Sequence, residues 1–321
     1  MKNISSGIHH VTAIASDAQQ NLDFYTGILG LRLVKLTVNF DDPTSYHFYY
    51  GDTTGQPGTL LTFFAWPGAH RAVQGRGSVY ATALGIPVGA LGYWKERLTR
   101  ENVVFDSFEN RLGENGVQFS DPDGMILELV ETAAPQTANV WKDATISAEN
   151  AIFGIHGVSI ATSGIEPTAN ILTEKLGFTK STIENERARF KSSSEIGGYV
   201  DVLFAPELPR ATQGVGSVHH VAFRAEDDDS QLRFRSELVR DGLNVSPVME
   251  RNYFRSIYFR IPGGVLFEIA TDAPGMAIDE PVETLGGKLM LPEQYEGYRE
   301  QIEAGVQPIQ LPNGGAVGVR S

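Results

Sequence analysis

The sequence predicts an α+β protein made of four βαβββ modules that pair into two half-barrel cups. Three observations carry this prediction. Four segments start alike: GIHHVTAIA from Gly7, GSVYATALGI from Gly77, GIHGVSIAT from Gly154 and GSVHHVAFRA from Gly216. Each reads as a short alternating strand, and each is followed by a helical pattern and further strand-like runs. Two of the modules also close on related turns and strands, DPDGMILELVE at Asp121–Glu131 and IPGGVLFEIAT at Ile261–Thr271.

In the first module a helix is expected over Ala18–Leu29, with Leu22, Tyr25 and Leu29 on one stripe, then strands over Leu33–Phe40, Ser45–Tyr50 and Leu60–Trp66. The other helices are expected over Gly89–Glu101, Pro167–Leu176 and Asp229–Asp241, the last with Leu232, Leu238 and Val239 as its apolar residues. Strands over Ser256–Ile261 and Val265–Thr271 complete the fourth module. The predicted organisation is two modules within 1–135 (about 7–70 and 77–132), a Pro/polar linker over 136–150, and two modules within 151–285 (about 153–206 and 214–273). A C-terminal tail follows over 286–321, with a short helix at Glu293–Glu303 and a frayed final dozen residues.

Composition narrows the chemistry. The 321 residues are 41% hydrophobic and 20% charged, an ordinary globular balance. A net charge of −13 argues against nucleic acid or an anionic membrane as partner. There is no cysteine, so disulfides, thiolate metal sites and cysteine nucleophiles are excluded, and any metal must sit on His, Asp or Glu. No apolar run resembles a signal peptide or a membrane span, so a cytoplasmic enzyme is the default expectation.

The doubled histidines, His9-His10 and His219-His220, raise the sharpest question. Neighbours on a strand point to opposite faces, so at most one imidazole of each pair is expected in a given site. His219, Val221 and Phe223 form a bulky apolar set suited to packing under a helix, whereas His220, Ala222 and Arg224 suit a cup interior. His10 shares its face with Thr12, Ile14 and Ser16, and His9 with Val11 and Ala13. Both comparisons favour the second histidine. Glu268 stands in a strand whose neighbours Phe267 and Ile269 can face the helices, which turns Leu266, Glu268 and Ala270 toward the cup. A glutamate flanked by VLF and IA is costly to bury without a cation or proton. Its twin, Glu128, lacks histidine partners because its module begins with Tyr80-Ala81, so a structural role is expected there. Two histidines and a carboxylate form a facial set that leaves open positions on iron(II) for an aromatic oxygen and dioxygen.

The HHV strand starts and the final FE-hydrophobic strand, within βαβββ repeats, resemble the vicinal-oxygen-chelate superfamily of glyoxalases, bleomycin-resistance proteins and extradiol dioxygenases. Within it the chain is most similar to the four-module hydroquinone ring-cleaving dioxygenases, from about Gly7 to Asp272. That resemblance implies iron(II) held by His10, His220 and Glu268, with Mn(II) as the other ion such ligands favour. It also implies His9, Thr12 and His219 in the pocket, and adds Arg251 and Tyr258. The residues support Tyr258 independently, since Ile257, Phe259 and Ile261 occupy the opposite, apolar face. The implied partners are an aromatic diol and dioxygen, with a homo-oligomer left open.

Of the remaining histidines, His156 aligns with His9 and is expected to be structural, while glycine replaces the second histidine of its pair. His47 could wall a ring-binding pocket or belong to the core, and His70 is expected in solvent. Two other functions compete. A glyoxalase-type isomerase or lyase needs a second carboxylate, and TLLTFFAW at the end of module one has none. A metal-free sequestration protein would not need the triad at all. The simplest pairing joins modules one and two, and three and four. A complete triad instead requires modules one and four to share a cup.

Overall fold

A computed structural model describes residues 4–142 and 145–318. Module one contains β1 (Ile8–Ala15), α1 (Ala18–Leu22), β2 (Arg32–Asn39), β3 (Asp42–Gly51) and β4 (Leu60–Ala65). Module two contains β5 (Ser78–Pro87), α2 (Leu91–Arg100), β6 (Phe105–Arg111), β7 (Glu114–Ser120) and β8 (Ile126–Thr132). Module three contains β9 (Gly154–Thr162), α3 (Ile165–Asn170), β10 (Thr179–Glu184), β11 (Arg187–Lys191) and β12 (Tyr199–Phe204). Module four contains β13 (Val218–Ala225), α4 (Asp228–Arg240), β14 (Met249–Glu250), β15 (Arg255–Arg260) and β16 (Leu266–Thr271). Helices α1 and α3 each continue as a π-helical turn, over Asp23–Ile28 and Ile171–Lys175.

Two eight-stranded sheets result, and their strand orders decide the pairing question. One runs β14-β15-β16-β13-β1-β4-β3-β2 and the other β10-β11-β12-β9-β5-β8-β7-β6. Modules one and four therefore share a sheet, and modules two and three share the other. The simplest pairing is not the one adopted. β1 lies antiparallel to β13 at the centre of the first sheet, flanked by its parallel partner β4 on one side and by β16, parallel to β13, on the other. The sheets meet through backbone bonds such as Ile8 N–H to Gly197 O (2.8 Å) and Ile155 N–H to Gly58 O (2.9 Å).

The helices cover the convex faces. Val11, Val221, Phe223, Phe267 and Ile269 belong to the main hydrophobic core, as their alternation predicts. A smaller cluster on the concave face gathers Ala222, Ala270, Leu60, Tyr49 and Phe254. On α1 the stripe Leu22, Tyr25 and Leu29 is buried as expected, and Asp17 caps the helix by accepting from Gln20 N–H at 2.8 Å. On α4 the expectation holds for Leu238, which is buried, and fails for Leu232 and Val239, which are 49% and 46% exposed; Gln231 and Phe234 are buried in their place. The true stripe is one residue round the helix, because Gln231 donates from Nε2 to the carbonyls of Arg255 (2.6 Å) and Ile269 (2.8 Å).

The end of the chain also differs from expectation. Residues 293–303 form two short helices, α5 (Glu293–Glu296) and α6 (Arg299–Gly305), and the last dozen are not frayed as far as they are described. β17 (Ile309–Gln310) pairs with β18 (Ala316–Val317), and Ile309, Leu311 and Val317 are buried. The segment straps module one. Lys35, fully buried on β2, places Nζ 2.5 Å from both Asp279 and Glu280, and Met290 N–H reaches Leu36 O at 2.9 Å. No helix among the described residues is long and apolar enough to cross a membrane.

Removing one partner of a buried ion pair leaves the other charge stranded at a cost of about 3–5 kcal/mol. Lys35→Ala should therefore lower unfolding stability in urea by about that amount. A loss no larger than an exposed pair gives, about 1 kcal/mol, would show that the strap is held by its apolar residues alone.

Candidate metal centre

The pairing of β1 with β13 brings together histidines that are 210 positions apart in the chain. His10 Nε2 lies 3.3 Å from His220 Nε2, and the two stand 3.4 and 2.8 Å from Glu268 Oε2. All three residues are buried, and their ligand atoms lie within 4.8 Å of one another. Two ligand atoms about 2.1 Å from one ion and at right angles to each other would stand roughly 3 Å apart. The three separations fit that spacing.

The electrostatics fit as well. Burial alone would push the Glu268 carboxyl up, but His10 and His220 against it bring it well below its ordinary value. Burial lowers His220 below the usual imidazole value. A fully buried carboxylate whose Oε2 has no hydrogen bond of good geometry faces imidazole nitrogens. Such a donor set has the chemistry to hold a cation.

The doubled histidines do not obey simple alternation. The β1–β13 register advances two residues on β1, Ile8 to His10, for one on β13, and two on β13, Val218 to His220, for one on β1. His9 and His219 are thus the extra residues of two β-bulges. Each first histidine consequently lies against the second instead of beneath a helix, which corrects the expectation that at most one ring of each pair enters the site. His9 Nδ1 is 2.9 Å from His10 Nδ1, and His219 Nδ1 is 2.7 Å from His220 Nδ1. With the inner nitrogens so engaged, both Nε2 atoms are left to face Glu268. The Phe254 ring packs on His9 and His10, with centroids 5.1 and 5.0 Å away. Phe64 and Trp66 meet the edge of His219.

The other expected residues are distributed around this cluster. Tyr258 lies opposite Glu268 in the β15–β16 register, and its ring meets His220 at 5.7 Å. Arg251 donates from Nε to the Tyr258 hydroxyl at 3.2 Å while pairing with Asp41, an exposed residue between β2 and β3. It is thus both a hydrogen-bond donor toward the site and one half of a surface ion pair. Thr12 is buried and shares a hydrogen bond with Thr62 (2.8 Å), which in turn meets His47 Nε2 at 3.0 Å. His70 is exposed, as expected, with Nε2 on Gln213 O.

Two further residues were not assigned to the site from the sequence. Ser256, fully buried, donates to Glu268 Oε1 at 2.5 Å and leaves Oε2 for the histidines. Its place two residues before Tyr258 on β15 puts it on the cup face, and that alternation was the available signal. His47, left open between pocket and core, stacks between Tyr49 and Phe64 at 4.1 and 4.3 Å and joins the threonine chain. Burial is the main cause of its pKa lying well below the ordinary value, with His10 and His220 adding to it.

The second cup repeats the architecture without the donors. Thr62, Glu128, Asp201 and Glu268 occupy equivalent places in the four modules, opposite Thr12, Ala83, Ser159 and Ala222. Tyr80 and His156 are bulged as His9 and His219 are. Arginines fill the centre: Arg111 grips Glu128 with bonds of 2.9 and 2.6 Å, and Arg187 and Arg189 hold Asp201. His156 pairs with Glu114 at 2.9 Å. Where His10 and His220 have their counterpart, Gly157 could not accept a side chain, because a Cβ there would stand 2.5 Å from Tyr199 O.

Paired bulged sheets with a buried His-His-Glu cluster in one cup define a class. The chain belongs to the glyoxalase/bleomycin resistance protein/dioxygenase superfamily, matched over residues 7–129 and 154–269. MhqO of Bacillus subtilis (strain 168), provisionally named a ring-cleaving dioxygenase, is 45% identical over 97% of this chain and 99% of its own. The chlorohydroquinone/hydroquinone 1,2-dioxygenase of Sphingobium indicum is 31% identical over 92% and 94%. A crystal structure of a dioxygenase from Bacillus subtilis, also provisionally named, superposes with a TM-score of 0.93 at 45% identity, covering 97% of this chain and 99% of that one. Among these relatives the chain stands as a dioxygenase enzyme.

Burial is the leading cause holding the His219 imidazole down, from its ordinary 6.5 to about 3. The unfolded chain takes up that proton as pH falls through 6.5 and the folded protein does not until near 3. Metal-free protein should therefore lose stability steadily from pH 6.5 downward, and His219→Gln should flatten the decline. Urea unfolding between pH 7 and about 4 reads the slope. An unchanged slope in the variant would mean that His219 is not held neutral.

Proposed function

We propose that the protein is an iron(II)-dependent dioxygenase that opens the ring of a hydroquinone- or catechol-type substrate. The observation that carries this reading is the convergence of His10 Nε2, His220 Nε2 and Glu268 Oε2 inside an aromatic-walled cup. These three residues would hold the ion, and Mn(II) suits the same donors. When bound, the ion supplies a Lewis acid that gathers a substrate oxygen and dioxygen at neighbouring positions.

The protein groups supply the rest. Ser256 keeps one carboxylate oxygen occupied, so Glu268 offers the other alone. His9 and His219 fix the tautomers of the ligand rings, because a ring bound through Nε2 carries its proton on Nδ1 and donates it to the neighbouring histidine. Tyr49, Phe64 and Phe254 give the surroundings of the cluster the aromatic character that suits an aromatic substrate. Tyr258, with Arg251 donating to its oxygen, has its hydroxyl proton free to donate to a bound substrate oxygen. The isomerase reading is disfavoured by Thr62, which stands where the equivalent strand of module four carries Glu268.

The test begins with metal-stripped protein reloaded with iron(II) without air. Oxygen uptake with methylhydroquinone or catechols, with loss of aromatic absorbance, is the expected result. Turnover of a hemithioacetal with nickel or zinc, and no oxygen uptake with iron, would overturn it. His10→Ala, His220→Ala and Glu268→Ala should each abolish metal binding and uptake, whereas His9→Ala and His219→Ala should retain the ion. Loss of iron from the latter pair alone would reverse the ligand assignment. Ser256→Ala should weaken Mn(II) binding about 10–100-fold, as loss of a group that orients a metal ligand does. Unchanged Mn(II) affinity by titration would remove Ser256 from that role.

A further inference from the structure

A cavity of about 230 Å³ opens beside the metal centre, with His219 and His220 in its wall. It sits at the seam between the two sheets, where the loop at Gly263 and Gly264 of module four meets the start of β5 at Gly77 and Ser78. A second cavity of about 500 Å³ shares Arg76, Gly77, Arg210, Gly263 and Gly264 with it and widens toward Ser163 and Pro167. The shared residues join the two into one corridor along the seam, with His219 and His220 in its wall.

The lining is chemically one-sided. Arg76, Arg210 and Arg260 contribute cations, and neither cavity has an aspartate or glutamate in its wall. This occurs in a chain of net charge −13. Arg76 donates to the carbonyls of Leu208 and Pro206, and Arg260 to Gly264 O at 2.8 Å. Backbone carbonyls orient these two guanidinium groups without neutralising them. None of the three arginines forms an ion pair among the described residues. Arg260 follows Tyr258 by two on β15 and acts electrostatically on His219, so the positive corridor reaches the edge of the site.

We infer that this corridor binds a small organic carboxylate, namely the acid produced when the ring is opened. The inference rests on the ring-cleavage reading. A diol is uncharged at neutral pH, since its hydroxyls ionise near the phenolic range, about 10. Cleavage breaks the bond between the hydroxylated carbon and its neighbour and the bond within dioxygen. Each oxygen atom enters the product, one completing a carboxylic acid and the other an aldehyde, and the acid then releases a proton to solvent. Charge thus appears only in the product. Guanidinium groups recognise carboxylates through paired N–H donors, and a low-dielectric cleft concentrates their field.

The probe is cis,cis-muconate, a six-carbon unsaturated diacid, titrated calorimetrically into the metal-loaded protein, with its uncharged dimethyl ester as control. The diacid should bind and the ester should not, and binding should weaken as salt rises because the arginines are solvent-accessible. Arg260→Gln and Arg210→Gln should each weaken muconate about tenfold, and the exposed positions make both variants compatible with folding. Muconate affinity equal in wild type and both variants, or no muconate binding at all, overturns the corridor whatever the oxygen electrode shows. Arginine-dependent muconate binding in a protein that consumes no oxygen with any diol would overturn the assignment to a ring-opened acid.

Discussion

β1 and β13 run antiparallel through the middle of one sheet, and each carries one extra residue where it faces the other. Without that pairing, His10 and His220 would belong to separate cups. Without the two bulges, each first histidine would turn toward the helices and leave the Nδ1 of its neighbour without a partner. The carboxylate of Glu268 adds the energetic condition. It is buried beyond the reach of water, and its own strand offers Phe267 and Ile269 to the opposite face. Two backbone irregularities and one buried charge thus define the centre, and the cup is built to hold them.

Much of this was legible from residue types. Alternation placed Phe267 and Ile269 under the helices and Ala270 in the cup, because one face of each strand is packed and the other is not. Four similar strand starts announced the repeats. The bulges were not legible, since alternation assumes a regular ladder and a bulge is decided by the partner strand. The cup partners could be inferred only on condition that the triad was real. On α4 the polar Gln231 took a buried place that a count of apolar residues assigns elsewhere, because two backbone carbonyls needed its amide. Ser256 passed unnoticed because serine has no diagnostic spacing. Its role depends on Glu268 lying across the strand.

The second cup shows what duplication leaves when one site is enough. Its four carboxylate and bulge positions keep their geometry, yet arginines neutralise Glu128 and Asp201 where the first cup presents imidazoles. Gly157 marks the point of divergence. The β9 backbone there approaches Tyr199 of β12 too closely for any side chain, so the strand has settled into a spacing that a ligand residue could not share. The two cups thus use the same architecture for different ends, one to converge imidazoles and a carboxylate on one point and the other to pair its carboxylates with arginines.

The strand orders carry one more consequence, for how the protein is made. When synthesis has reached Phe204, the last residue of β12, all eight strands of the second sheet exist but only four of the first. The middle of the chain can fold while module one waits with its central edge unpaired, and β13 must close a gap of some two hundred residues to meet β1. Pairings of such long sequence separation are slow, and an exposed edge in the interim invites the wrong partner. The residues that strap β2, among them Asp279 and Glu280, leave the ribosome later still. The half that carries the His-His-Glu cluster is therefore the last part of the molecule that can be completed, against a neighbour whose strands are all already made.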